Sequence, residues 1–204
     1  MLFAERKIVL ASASPRRLEI LRQIGIEPLP CPVDVAEWQE LTKQRGAADL
    51  VGANAAAKAR AAAALHPQQL ILAADTVVML GDTLYGKPRS ADEAQAMLAA
   101  LSGRTHQVYT GEFLLDGANG RSASGVDICE VTFHHLSAAE IKEYVASGEP
   151  FDKAGAYGIQ GKGALFVEKI CGDYYTVMGL SLSLLRHLDR IVSQGMGGGP
   201  AAKV

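Results

Sequence analysis

The 204-residue sequence is poor in aromatic residues and carries no excess of either charge. Aromatic residues make up 6% of it, and 20 Lys and Arg nearly balance 22 Asp and Glu to give a formal net charge of −2. This balance removes the electrostatic reason to expect a protein that coats nucleic acid. Hydrophobic residues make up 49% of the chain and charged residues only 21%, which is too apolar for a disordered protein.

Cysteine is scarce, and long hydrophobic runs are missing. Cys31, Cys129 and Cys171 are widely spaced and include no CxxC pair, so the sequence predicts neither a disulfide framework nor a zinc ribbon. No stretch approaches the ~18 uninterrupted apolar residues that a membrane helix needs. We therefore expect a cytoplasmic protein with reduced thiols and no membrane partner.

The residue patterns change repeatedly between strand and helix. Periodicity and capping signals predict strands and helices in alternation along the chain, without strict βαβ repetition. This order favours a mixed, elongated sheet with flanking helices, an α/β fold that is not doubly wound. The length fits one domain or two small lobes that share a core. We expect a single domain over residues 1–193 and a mobile C-terminal tail over 194–204.

The first candidate site is the segment Ser12-Ala13-Ser14-Pro15-Arg16-Arg17. Serine before proline is typical of a helix start, with Ser14 as the N-cap. The two arginines do not fit an ordinary start, because a helix N-terminus carries partial positive charge and favours acidic residues. A strand, a small-residue turn, helix amides and two guanidinium groups together favour a phosphate-binding corner over a plain helix cap.

The second candidate is Asp75, with Thr76, inside the apolar run from Leu70 to Leu80. Burial of an ionised carboxylate in a strand is costly unless it meets a cation or a metal, or lies where the strand opens onto a cleft. Such a carboxylate is what a general base or a metal ligand requires. An equally supported alternative is an aspartate that accepts backbone hydrogen bonds at a strand bend.

Two further segments carry lysines and glycines. Residues 81–88 have P-loop spacing, but proline stands where Ser or Thr should bind magnesium, so we reject a P-loop and keep Lys87 as a candidate phosphate contact. Residues 151–163 contain regularly spaced glycines that let the backbone approach a ligand closely, and this segment supplies Lys153 and Gln160. A flexible surface loop is the alternative for this second segment.

The segments SASPRR, AAAKAR, AADTVV, GKP, SGRTHQVYTG and DKAGAYGIQGKG, in this order, resemble the Maf family of nucleoside triphosphate pyrophosphatases. The resemblance runs from about Ile8 to Leu182. It implies a two-lobed mixed α/β fold around a deep cleft, of the kind found in inosine triphosphatase. It also implies cytosolic hydrolysis of a nucleoside triphosphate to the monophosphate and pyrophosphate, with Mg²⁺ or Mn²⁺ as cofactor. A homodimer is a further expectation from the family.

The resemblance also implies roles for individual residues. Asp75 matches the catalytic proton acceptor. Glu37 matches an acidic position linked to the metal, and Asp75 would be a second ligand of that metal. The matched substrate-binding positions are Ser12, Arg16, Lys58, Lys87 and Lys153, and the positions linked to base selection are Arg16, Thr76 and Gln160. The Asp-Thr pair and the Gly-Ile-Gln-Gly loop resemble the branch that acts on dTTP and UTP, and not the branch that acts on 7-methyl-GTP.

Two positions depart from the family pattern. Ala36 stands where aspartate is common, which weakens the assignment of Glu37 to the metal. Ser181 stands where proline is usual, and we expect this change to affect only a helix start, because serine caps helices as well as proline initiates them.

Two other functions compete with hydrolysis. A non-enzymatic nucleotide-binding regulator of cell division or septum formation would need the phosphate corner but not Asp75 with a metal. A nucleic-acid-binding domain built on Arg16 and Arg17 would need a basic stripe and interleaved aromatic residues, which the sequence lacks. Magnesium-dependent release of pyrophosphate from dTTP or UTP would separate the enzyme from the regulator.

Overall fold

A computed structural model describes residues 2–36 and 42–194, so the predicted tail lies outside the described residues from position 195 onward. Within these residues the strands are β1 (Ile8–Leu10), β2 (Leu29–Pro30), β3 (Leu70–Leu80), β4 (Thr83–Tyr85), β5 (Thr105–Asp116), β6 (Ser122–Phe133) and β7 (Val167–Cys171). The α-helices are α1 (Pro15–Gln23), α2 (Thr42–Leu65), α3 (Ala91–Leu101), α4 (Ala138–Ala146), α5 (Tyr174–Met178) and α6 (Leu182–Gln194). Short 3₁₀ helices occupy Leu2–Glu5, Glu149–Asp152, Ala154–Ala156 and Lys162–Phe166.

The strands form one mixed sheet in the order β2-β1-β3-β5-β6-β7, and β4 pairs with β3. β1 runs parallel to β2 and to β3, whereas β3 with β4 and β6 with β7 are antiparallel. The tight turn between β3 and β4 has a left-handed glycine, Gly81, with φ of 57°. This hairpin agrees with our rejection of a P-loop, and the mixed sheet with its helices confirms the predicted fold class.

The chain divides into two compact units. The first takes its residues from Met1–Asp75, Thr110–Asp127 and Gly179–Val204, and the second from Thr76–Tyr109 and Ile128–Met178. β3, β5 and β6 each contribute residues to both units. Two units agree with the two lobes that the resemblance implies.

Helix α2 packs closely on the sheet within the first unit. Its alanines are small enough to allow this approach, and they share a buried cluster with strand residues, namely Val9, Ala55, Ala59, Ala62, Ile71, Ala73 and Phe113. A Cβ atom at Gly111 of β5 would lie only 2.6 Å from the carbonyl carbon of Val51, so glycine is needed there. Gly46, with φ of 84° and ψ of 169°, interrupts the helix near its start.

Ser90 and Ser137 each stand three residues before a glutamate, the spacing of a capping box, and each is the N-cap of a helix, but only one of the two boxes is complete. Before α4, the Ser137 hydroxyl accepts a hydrogen bond from the Glu140 amide, and the Glu140 carboxylate accepts one from the Ser137 amide. Before α3, Ser90 accepts from the amide of Glu93, but the Glu93 carboxylate accepts from the amide of Arg89 instead of Ser90. The second box is therefore only half formed.

Two further observations concern the cysteines and the hydrophobicity of the helices. Cys31 and Cys129 are buried and Cys171 is exposed, and none of these three cysteines forms a disulfide. Among residues 2–36 and 42–194, no helix is long and apolar enough to cross a membrane.

Candidate active site

Asp75 is a buried carboxylate that meets a cation. It lies within β3, where most neighbouring side chains are apolar and buried, and is only 8% exposed. Lys58 of α2 donates a hydrogen bond from Nζ to Oδ1 of Asp75 at 2.8 Å, and the two side chains are 13% and 12% exposed. The ion pair offsets the desolvation of both charges. Of the two readings left open by the sequence, the structure supports the carboxylate that meets a cation.

Asn54 binds the second oxygen of this carboxylate, and the sequence motifs did not identify it. Its side-chain amide donates from Nδ2 to Oδ2 of Asp75 at 2.8 Å, and the residue is 3% exposed. Asn54 and Lys58 are four residues apart on α2, so they lie on the same face of the helix. That spacing of two polar residues in an alanine-rich helix was the one signal that could have found Asn54.

The turn that carries Ser12 follows directly after β1, which is a neighbour of β3 in the sheet. In the parallel pair of β1 and β3, Leu10 is opposite Leu72. Beyond Leu10 the amide of Ala11 donates to the carbonyl of Leu72 at 2.8 Å, and the amide of Ser12 donates back to the carbonyl of Leu10 at 2.9 Å, so the chain turns away from β3 at Ser12. The carboxyl ends of parallel strands are where α/β sheets commonly place their ligands.

Arg17 does not serve the phosphate corner as predicted, because it points into the protein. It is 8% exposed, and its Nε donates to the backbone carbonyl of Gly179 at 2.8 Å. Its Nη1 donates to the hydroxyl of Ser12 at 2.9 Å, within the first unit. A buried guanidinium needs acceptors for its five donors, and these two contacts supply two of them. Arg17 is thus a structural residue that fixes Ser12, while Arg16 stays half buried on the first turn of α1.

The N-terminus of α1 keeps the predicted boundary but lacks the predicted cap contact. Ser14 is the N-cap and Pro15 follows it, yet the Ser14 side chain makes no capping hydrogen bond. The first turn contains no acidic residue. The Ser14 amide instead donates to the hydroxyl of Ser12 at 3.2 Å. This first turn therefore retains the positive character that favours an anion.

In the second unit, the structure brings the Lys87 turn next to the glycine-rich loop. The amide of Gly155 donates to the carbonyl of Gly86 at 3.0 Å. Lys87 itself is exposed, and Pro88 after it is buried. Two motifs that are more than sixty positions apart in the chain are therefore neighbours in space.

Lys153 is held by groups next to it in the chain. Its ammonium donates to the carbonyl of Glu149 and to the Asp152 carboxylate, each at 2.6 Å. The Lys153 side chain is 14% exposed and that of Asp152 is 52% exposed, so water reaches one side of this ion pair and reduces its contribution to stability. An ammonium has three donors, and these two contacts leave capacity for an anionic ligand.

The glycine-rich loop is anchored by hydrogen bonds. The Glu149 carboxylate accepts from the Tyr144 hydroxyl at 2.9 Å and from the amide of Lys162 at 3.1 Å. The Tyr144 hydroxyl also accepts from the amide of Gly158 at 3.1 Å, and burial, the largest influence, raises the pKa of Tyr144 so that it remains a phenol. Gln160, between these anchored positions, is exposed. These contacts favour a ligand-binding loop held in place over the alternative of a flexible surface loop.

Ser181 does more than start a helix, so our expectation for it was too narrow. Its hydroxyl accepts from the amide of Leu184 at 3.2 Å, as an N-cap does. Its amide also donates to the buried carboxylate of Glu112 at 2.5 Å, and its hydroxyl donates to Asp127 at 2.7 Å. Proline at this position could not make the contact with Glu112, because it has no N–H.

The predicted metal position Glu37 lies outside the described residues. Among residues 2–36 and 42–194, no group of three His, Cys, Asp or Glu side chains is placed to hold a metal ion. Magnesium is usually bound by one or two carboxylates together with substrate phosphates and water. The Asp75 carboxylate has lone pairs beyond the two used by Asn54 and Lys58, so it fits a metal ion that is held in part by a bound nucleotide.

Comparison with known proteins agrees with this set of motifs. A family profile described as Maf-like protein matches residues 7–190. The chain belongs to the Maf-like protein family. A relative from Bacillus cytotoxicus, named dTTP/UTP pyrophosphatase, is 45% identical over 190 residues, which cover 92% of this chain and 97% of the relative. A relative of the same name from Bacillus cereus is 45% identical over 187 residues, covering 91% and 95% of the two chains.

Among solved structures, the chain is similar to the Ham1 protein of Staphylococcus aureus. The TM-score is 0.48 at 16% sequence identity, and the match covers 94% of this chain and 95% of Ham1. The assignment to the Maf-like family rests on the sequence matches alone.

Proposed function

We propose that this chain hydrolyses dTTP and UTP to the nucleoside monophosphate and pyrophosphate. Two relatives that carry this activity in their names are 45% identical to it over nine-tenths of each chain. The structural observation that best supports hydrolysis is Asp75, a carboxylate buried in β3 with its oxygens bound by Asn54 and Lys58. A carboxylate in such surroundings is a candidate general base.

In the proposed reaction, water attacks the α-phosphorus of the nucleotide. A bond forms between the water oxygen and the α-phosphorus, and the bond from that phosphorus to the α,β-bridging oxygen breaks. Asp75 accepts the proton of the water, and the bridging oxygen leaves as part of pyrophosphate. Asp75 keeps the lone pairs that this needs, because an ionised carboxylate offers about four acceptor sites and two are used.

The cationic residues would offset the negative charge that grows on the leaving pyrophosphate. We assign this role to Arg16, Lys58, Lys87 and Lys153, with Ser12 as a polar contact to the phosphates. Arg17 supports this assignment indirectly, since it holds the Ser12 hydroxyl at 2.9 Å. The uncapped first turn of α1 adds further positive character beside Arg16.

Base selection is assigned to Arg16, Thr76 and Gln160. The amide of Gln160 and the hydroxyl of Thr76 can each donate and accept, which suits the edge of a pyrimidine. A purine would leave some of these groups imperfectly paired. The anchored loop supports this role for Gln160, because selective recognition needs a side chain carried on a fixed backbone.

A divalent cation, Mg²⁺ or Mn²⁺, fits this chemistry. Asp75 would hold it together with Glu37, the residue that the family resemblance adds. When bound, such a cation supplies charge neutralisation and polarisation at the phosphate oxygens.

The proposal is tested by incubating the chain with a panel of nucleoside triphosphates and added magnesium, and resolving the products by chromatography. We expect pyrophosphate and monophosphate from dTTP and UTP, and slower turnover of purine nucleotides. The variant Asp75→Asn should bind nucleotide but lose turnover. Nucleotide binding without hydrolysis by the unaltered chain would contradict the proposal and favour the non-enzymatic regulator.

The predicted homodimer, the cytoplasmic location and the absence of nucleic-acid and membrane partners stay predictions. Size-exclusion chromatography with light scattering would test the first of them.

A further inference from the structure

We infer that Asn54 is a positioning residue for the proposed reaction, and that it acts by fixing the orientation of the Asp75 carboxylate. The inference rests on the proposed function, in which Asp75 accepts a proton from water. Asn54 is not among the residues that the sequence motifs identify, and it enters only through its contact with Asp75.

The contact is chemically unambiguous. An ionised carboxylate only accepts hydrogen bonds, so the amide nitrogen of Asn54, and not its oxygen, must face Asp75. The donor reaches Oδ2 at 2.8 Å, while Lys58 reaches Oδ1 at the same distance. With one donor on each oxygen, the plane of the carboxylate is defined, and the remaining lone pairs have fixed directions.

Asn54 is better suited than Lys58 to hold this orientation during the reaction. Lysine has a flexible four-carbon stem and a point charge, and a triphosphate attracts that charge. Asn54 is uncharged, has a short side chain and is 3% exposed on the closely packed α2. The Asn54 amide therefore keeps its contact with Asp75 when anionic substrate binds, even if the Lys58 ammonium shifts towards a phosphate.

A purely structural role makes a different prediction. If Asn54 only satisfied a buried carboxylate, its loss would lower stability but leave the turnover of folded protein unchanged. If it fixes the general base, its loss lowers kcat, while KM stays near that of the unaltered chain because Asn54 is not expected to touch substrate.

The test is steady-state hydrolysis of dTTP, with magnesium, by Asn54→Leu, a change that is close in size but removes the donor. We expect kcat to fall by about 10- to 100-fold, the range that one hydrogen bond to a charged group spans, with KM within about twofold of the unaltered chain. Asn54→Ala is the second variant, should Asn54→Leu fail to fold. Urea unfolding at the assay temperature confirms that each variant is folded.

Val51→Ala is the matched control, because Val51 is fully buried on the same helix, three positions before Asn54. It should lower stability and leave kcat unchanged. An unchanged kcat in folded Asn54 variants of an active enzyme would overturn the role of Asn54 and leave the proposed function standing. A rise in KM with no change in kcat would overturn it as well. No pyrophosphate release by the unaltered chain would overturn the proposed function, and the role of Asn54 with it.

Discussion

The ion pair between Lys58 and Asp75 predicts a large and asymmetric effect on stability. Lys58→Met keeps most of the volume of the side chain but removes its charge, which leaves Asp75 without a cation. Both side chains are nearly buried, at 13% and 12% exposed, so water cannot fully replace the lysine. Removing one partner of a buried pair typically costs about 3–5 kcal/mol. Because Asn54 still binds Asp75, we expect the lower end, about 3 kcal/mol.

A loss of this size is measurable by thermal unfolding followed by circular dichroism. For a chain of about this length, each kcal/mol lowers Tm by about 2–4 °C, so we expect a fall of roughly 6–12 °C. The double variant Lys58→Met/Asp75→Asn removes both charges and should regain most of the lost stability. Lys7→Met, at an exposed lysine of the same unit, is the control and should change the free energy of unfolding by less than about 0.5 kcal/mol.

Two results would refute this reasoning. One is a free energy of unfolding for Lys58→Met within about 1 kcal/mol of that of the unaltered chain, because breaking a buried ion pair should cost more than this. The other is a double variant no more stable than Lys58→Met alone, since the penalty then would not come from the unpaired carboxylate.

Two further predictions concern buried polar groups. His106 is 1% exposed, and burial lowers its pKa from 6.5 to about 4. Below pH 6.5 the unfolded chain therefore binds a proton that the folded protein does not, so the contribution of His106 to stability is complete above pH 6.5 and is lost as pH falls towards 4. The loss should reach about 3 kcal/mol in urea unfolding, and His106→Gln should flatten this pH dependence. Arg17→Lys cannot reproduce the two contacts of the guanidinium with Gly179 and Ser12, so we expect a loss of about 1–3 kcal/mol in the free energy of unfolding and a higher KM for dTTP.

Each of these has a clear contrary outcome. A pH dependence between 6.5 and 4 that His106→Gln leaves intact would show that other groups cause it. Arg17→Lys with unaltered stability and KM would show that the two contacts do not fix Ser12.

The elements that could be predicted from the sequence are those with local signals. The boundaries of β3 follow from its continuous apolar run, and its pairing with β4 follows from the Gly81-Asp82 turn. Asp75 could be singled out because a charge in such a strand is costly without a partner. The partner itself could not be identified, since Lys58 is distant in the chain and joins Asp75 only when α2 packs on the sheet.

Contacts that depend on the direction in which a side chain points could not be predicted from the sequence. Arg16 and Arg17 are adjacent, and nothing in their order says that Arg17 turns inward to Gly179. Asn54 is one amide in an alanine-rich helix, and only its spacing of four residues from Lys58 distinguished it in the sequence. Ser181 is a similar case. Its role as a helix cap could be predicted from the local sequence, whereas its contact with Glu112 forms only because β5 lies beside the start of α6.

The central claim is that water attacks the α-phosphorus, with Asp75 as the base. Hydrolysis of dTTP in water enriched in ¹⁸O, followed by mass spectrometry of the products, tests it most directly. We predict one ¹⁸O atom in dTMP and none in the pyrophosphate, together with loss of turnover in Asp75→Asn. Label in the pyrophosphate, release of orthophosphate with dTDP, or full turnover by Asp75→Asn would contradict the account.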